Sequence, residues 1–108
     1  MGDYKHHAIL VTSYEQDVRI YYDKAKEIFG PLVSEIVQSP LNGYQSFFIA
    51  PDGGCEWYED SDIWDGKRAK YMQFLNLNDM CNSSRGRFTF VELFYGSENG
   101  ESKILNHN

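Results

Sequence analysis

Ser39-Pro40-Leu41-Asn42-Gly43-Tyr44-Gln45-Ser46-Phe47-Phe48-Ile49-Ala50-Pro51-Asp52-Gly53 places one apolar run between two chain breaks. Pro40, Asn42 and Gly43 supply the fixed-φ and positive-φ positions that a tight turn needs, and Pro51-Asp52-Gly53-Gly54 supplies a second break. Residues 44–50 between them read as a strand. Residues 32–39, Leu-Val-Ser-Glu-Ile-Val-Gln-Ser, read as another strand with less regular alternation. Four residues separate the two, which fits an antiparallel hairpin.

N-terminal to this hairpin, residues 7–12 (His-Ala-Ile-Leu-Val-Thr) form a short run apolar on both sides, suited to the middle of a sheet. Ser13 and Gln16 have the spacing of a capping box. Val18, Tyr21, Tyr22, Ala25, Ile28 and Phe29 then recur every three or four residues, which predicts a helix of about four turns ended by Gly30-Pro31. C-terminal to the hairpin, residues 55–66 carry many acids and read as a surface loop. Ala69, Met72 and Leu75, with Tyr71 and Phe74 beside them, predict a second helix over about 65–77. Residues 87–95, Arg-Phe-Thr-Phe-Val-Glu-Leu-Phe-Tyr, are the strongest strand in the chain. Residues 97–108 read as a polar, frayed tail beyond a single domain of residues 1–96.

The order strand, helix, strand, strand, helix, strand predicts an α+β, ferredoxin-like βαββαβ sandwich. Its four-stranded antiparallel sheet would carry both helices on one face. That topology leaves the last strand at an edge, an uncomfortable place for so much apolar character.

One domain is the natural count for 108 residues, which suffice for one real core. Acids outnumber bases 16 to 10, giving a formal charge of −6. That balance argues against a nucleic-acid partner, which needs clustered cations. Cys55 and Cys81 are far apart and lack a CxxC spacing, so free thiols in a reducing cytoplasm are expected. The first residues show no apolar signal segment, and no run is long enough to span a membrane.

Two helices cover one sheet face, and strand alternation leaves aromatic residues for the other. Three occupants compete for that other face: the acidic loop with Trp57, Tyr58 and Trp64 folded back; a second copy or other protein partner; or stacked bases, as in RRM domains. The last draws only on Arg85-Gly86-Arg87-Phe88, a partial echo of that family's strand.

No catalytic set emerges. Asp60-Ser61-Asp62-Ile63-Trp64-Asp65-Gly66 comes near a calcium loop, but its third acid is one residue late and Tyr71 stands where a bidentate Glu should. Cys55 follows two glycines, yet His6, His7 and His107 all lie in terminal stretches with no reason to approach it. No phosphate-binding, dinucleotide or metalloprotease motif occurs. No cofactor and no metal are expected. Trp57, Tyr58 and Trp64 among Glu59, Asp60 and Asp62, together with Tyr44, Phe48 and Phe90 of the sheet, instead suggest an interaction surface, an aromatic anchor with an acidic rim. Mimicry of nucleic-acid charge is a related reading, for which −6 is mild.

The motif Ser39-Pro40-x-Asn42-Gly43-Tyr44-x-Ser46-Phe47-Phe48-Ile49-Ala50-Pro51-Asp52-Gly53 resembles a family of small uncharacterised proteins encoded by tailed bacteriophages, prophages and some bacteria. The likeness continues through Trp57, Ser61-Asp62, Asp65 and Arg68, and through Val91-Glu92-Leu93-Phe94-Tyr95-Gly96. It covers about residues 8–96. Family members continue the motif with Ser-Lys-Glu-Gly-Trp where this chain has Gly54-Cys55-Glu56-Trp57, which removes Cys55 from any shared chemistry. The resemblance implies a phage accessory protein acting in the host cytoplasm and brings no assigned activity. The expected function is therefore non-enzymatic binding of a protein, itself or a host factor. A small enzyme or ligand-binding domain with its site at residues 51–65 is the alternative.

Overall fold

A computed structural model describes residues 6–53, 59–81, 88–96, 100 and 102–108. The chain is α+β, and its described residues form a five-stranded sheet and two helices. The strands are β1 (His6–Tyr14), β2 (Val37–Gln38), β3 (Tyr44–Ile49), β4 (Phe88–Tyr95) and β5 (Lys103–His107). The helices are α1 (Val18–Phe29) and α2 (Glu59–Cys81). The sheet order is β2-β3-β1-β4-β5, and every neighbouring pair is antiparallel. No helix among the described residues is long and apolar enough to cross a membrane.

The opening stretch folds as its turn residues dictate. Asn42 and Gly43 both take positive φ, and the Ser39 N–H donates to the Tyr44 carbonyl at 2.8 Å to close the loop. The tip is tied back to the β1–α1 turn by Glu15 N–H donating to the Gly43 carbonyl. β2, however, is only two residues long. Val33 pairs with Ile49 but Val37 pairs with Ser46, so the register moves by one residue. Residues 34–36 hold the extra residue of a bulge, which breaks the longer strand expected there.

α1 buries Val18, Tyr21, Ala25, Ile28 and Phe29, the stripe its spacing predicts. Its start differs. Ser13 is a strand residue rather than a cap, because β1 runs on to Tyr14 to pair with Tyr44. Asp17 occupies the N-cap, without a side-chain capping bond. The Ser13 hydroxyl is buried and makes no hydrogen bond among the described residues. After Phe29 the chain adds one 3-10 turn, Gly30–Leu32, with Gly30 at φ 59.

α2 begins at Glu59, six residues ahead of the expected start. The acids of residues 59–65 therefore stand on a helix, not in a loop, and lie toward its N-terminal end, where the macrodipole favours them. Trp64, Arg68, Tyr71, Met72 and Leu75 continue one stripe at spacings of three and four. The two helices meet at Tyr71, whose hydroxyl donates to the Tyr21 carbonyl at 2.8 Å. Burial first, then the neighbouring Tyr21, pushes the Tyr71 hydroxyl far above the ordinary phenol range.

The largest departure is β5, which the polar tail supplies. It pairs with β4, so the sheet has five strands and not four, and β4 is an interior strand. Two asparagines do the work that apolar side chains do elsewhere. The Asn108 side-chain amide accepts from Phe90 N–H at 3.0 Å and donates to the Phe88 carbonyl at 2.6 Å, imitating a backbone partner. A bulge between the Glu92 and Leu93 pairs leaves Leu105 as the extra residue.

The core lies between the helices and one sheet face. Ile9 and Val11 of β1, Phe47 and Ile49 of β3, and Phe88 and Phe90 of β4 pack against α1 and α2. Tyr21 stacks on Phe88 with ring centroids 4.2 Å apart, and Phe29 meets Tyr71 edge-on at 5.6 Å.

Candidate functional site

The antiparallel register decides which residues share the uncovered face. Leu10 stands between Phe48 and Val91, Thr12 between Ser46 and Thr89, Ala8 beside Leu93, and Tyr14 beside Tyr44. Tyr14 and Tyr44 stack at 4.5 Å. Leu10 is 40% exposed and Phe48 37%. From Ala8 to Tyr14, Tyr44 to Phe48 and Thr89 to Tyr95, no residue on this face carries a charge, in a chain at −6.

Tyr44 and Phe48 thus lie on the open face. Phe90 does not: it is 4% exposed and belongs to the helix-side core, so its place in the interaction set is corrected. It has the parity of Phe88, which Tyr21 covers. Trp64 lies on the helix side as well. It is half-buried on α2, stacked near Phe29, with the Lys67 ammonium 4.2 Å from its ring centroid. A tryptophan held there cannot fold back over the opposite face. Asp62 is exposed on α2, and Glu59 and Asp60 begin that helix. Trp57, Tyr58 and Cys55 lie outside the described residues.

The helix side holds a second feature. Arg68 is 5% exposed, and its guanidinium donates to Asp52 at 2.9 Å and, through the other terminal nitrogen, to Asp65. Asp52 comes from the turn after β3, so this cluster ties the end of the hairpin to α2. Taking away one partner of so buried a pair typically costs about 3–5 kcal/mol, because a buried charge is left uncompensated. The residues Asp52, Asp65 and Arg68, separate in the sequence motif, are therefore one ionic unit.

Beside this unit lies a cleft of about 410 Å³, lined by His7, Asp65, Arg68, Met72, Gln73, Asn76, Glu92, Leu105 and Asn106 among others. Glu92 is only 6% exposed, and it accepts a hydrogen bond from the Asn106 amide at 2.5 Å. His7 stands next to it on the same sheet face, one register step along. Its imidazole is held below the usual histidine value, by burial first and then by the Arg68 guanidinium. Asp65, Glu92 and Asp52 pull the other way.

Sequence reasoning passed over His7, Arg68 and Glu92 as a group. The available signal was parity: Glu92 sits between Phe90 and Phe94 on the buried side of its strand, and Arg68 sits four residues before Met72 on the buried stripe. Among the described residues no three metal-ligating side chains converge. The chain matches no protein-family model, no curated protein and no solved structure.

Proposed function

We propose that this is a small, non-enzymatic protein-interaction module in which the open sheet face packs against a second copy of the chain. Its core has the order of a ferredoxin-like βαββαβ sandwich extended by β5. The resemblance of residues 39–53 to small phage proteins supports an accessory role in a host cytoplasm.

One observation carries the reading: the open face sets Leu10, Phe48, Tyr14 and Tyr44 around a hydroxyl row of Thr12, Ser46 and Thr89, and bears no charge between Ala8 and Tyr14 or on the facing positions of β3 and β4. Two chains at −6 repel, and an interface from which charge is excluded is the one they can share at least cost. An uncharged face also gives a strongly basic or acidic partner nothing to select. At about 3.3 Å per residue and about 4.8 Å between strands, the three central strands from Ala8 to Tyr14 span roughly 330 Å² per copy. Two copies would bury on the order of 650 Å² through these strands, below the usual range for stable association, so the dimer is weak and concentration-dependent.

Sedimentation equilibrium and light scattering at high micromolar concentration test this. A reversible dimer is expected, and Leu10→Glu with Phe48→Glu should return it to monomer while circular dichroism stays unchanged. A native chain that remains monomeric, or a dimer that survives both substitutions, would overturn the reading.

A further inference from the structure

We infer that the cleft between α2 and the β4–β5 edge binds a small organic cation, an ammonium or guanidinium group on a short carbon chain. The cleft opens on the helix side of the sheet, so the proposal is independent of association through the other face.

The argument starts from Glu92. Its carboxylate is more than nine-tenths buried and lines the cleft, yet its hydrogen bond comes from a neutral amide, Asn106 Nδ2 to Oε1. No cationic side chain among the described residues pairs with it, which leaves Oε2 free to accept from a charged donor. That oxygen opens into the cleft, where a cation would take the place of water against a carboxylate whose residue is otherwise buried. The cation that lines the cleft, Arg68, is already taken: its two terminal nitrogens go to Asp52 and Asp65. Three carboxylates thus face one guanidinium, and the local balance is negative.

The rest of the wall narrows the ligand. An anion would have to displace Asp52 or Asp65 from Arg68 and lie beside Glu92. A metal ion would need a third ligand that the described residues do not bring together. An organic cation meets neither obstacle. Asn76 and Gln73 offer amide carbonyls for its remaining N–H groups, and the His7 ring, which makes no hydrogen bond among the described residues, can accept another. Met72 and Leu105, the latter pushed inward by the β5 bulge, supply an apolar wall for the carbon chain. A volume of about 410 Å³ has room for a ligand of a few heavy atoms and its water.

The test is titration of the full chain with n-butylammonium and n-butylguanidinium, followed by amide shifts of residues 7, 73, 92 and 106. Butyrate and n-butanol serve as the anionic and neutral counterparts. Saturable shifts with at least one cation, absent with butyrate and butanol, are expected. Glu92→Gln keeps the acceptor for Asn106 and removes the charge, and it should weaken binding by about tenfold or more. Gln73→Lys, at an exposed helix position that does not threaten the fold, should weaken it as well by placing a positive charge at the mouth. Absence of saturation with both cations, equal binding of butyrate or butanol, or unchanged affinity in both variants would overturn the proposal. Dimerisation is measured in the same samples, so failure here is separable from failure of the sheet-face reading.

Discussion

On one side of the sheet Phe47, Ile49, Phe88 and Phe90 vanish beneath two helices; on the other, Phe48, Leu10 and Tyr95 meet solvent. The two sides use similar apolar residues and differ in where the charge is kept. The covered side holds an arginine, a glutamate and two aspartates within or beside its core, each of which needs a partner. The open side has none on its three central strands. Arg68 and Glu92 are buried on the helix side, whereas the sheet face that meets water is neutral along its three central strands. An exposed face usually acquires charge because charge there is cheap and keeps copies apart. A face that stays neutral in a chain at −6 is what the proposed association through it requires.

The sharpest way to break this comparison is to truncate one phenylalanine on each side. Phe90→Ala removes a ring packed in the helix-side core and should cost about 3–5 kcal/mol in urea unfolding. Phe48→Ala removes one already 37% exposed and should cost the dilute monomer about 1 kcal/mol, while weakening association at high concentration. Equal losses for the two in dilute solution would mean the open face is packed within one chain.

Much of that sorting could be read in advance, and the failures have physical causes. The β3 hairpin, β1, α1 and β4 announced themselves through turn residues and periodicity, signals written over a few neighbouring positions. α2 was begun late because Asp60, Asp62 and Asp65 look like loop residues, although acids near a helix start are stabilised by the dipole. β5 was missed because its pairing depends on Asn106 and Asn108, whose amides satisfy β4 without apolar character. The cleft was illegible for a different reason. His7, Arg68 and Glu92 come from three elements, and only the register of β1 with β4 and the packing of α2 bring them together. One hint was visible: a final strand too apolar for an edge, which β5 now covers.

The next effect in size concerns how β5 is attached. Asn108 holds β4 by two side-chain bonds to Phe90 and Phe88, whereas the strand itself is exposed along its length. Asn108→Ala leaves the Phe90 N–H without that acceptor and should cost about 1–2 kcal/mol. Hydrogen exchange would then speed up at Phe90 and along β5 while Ile9 and Val11 keep their protection. Uniform loss of protection would show instead that β5 is part of the central cooperative unit.

The smallest effect belongs to His7, and it is read against pH. The folded chain holds this imidazole below the ordinary 6.5, because burial and Arg68 disfavour its charged form more than Asp65, Glu92 and Asp52 favour it. The unfolded chain then binds more protons near that value, so the His7 contribution to stability is present in full above 6.5 and is lost as pH falls through the lower, folded value. His7→Gln should flatten the slope of stability against pH in that window, measured as the difference between urea melts of the two proteins. Only the difference is informative, since the carboxylates titrate in both. The ring also touches Phe94 edge-on at 5.4 Å, so the substitution lowers stability at neutral pH too, and the slope rather than the offset carries the test. A His7 resonance that titrates at or above 6.5 would place the imidazole in solvent or in an ion pair with Glu92, and the cleft would then have supplied its own cation.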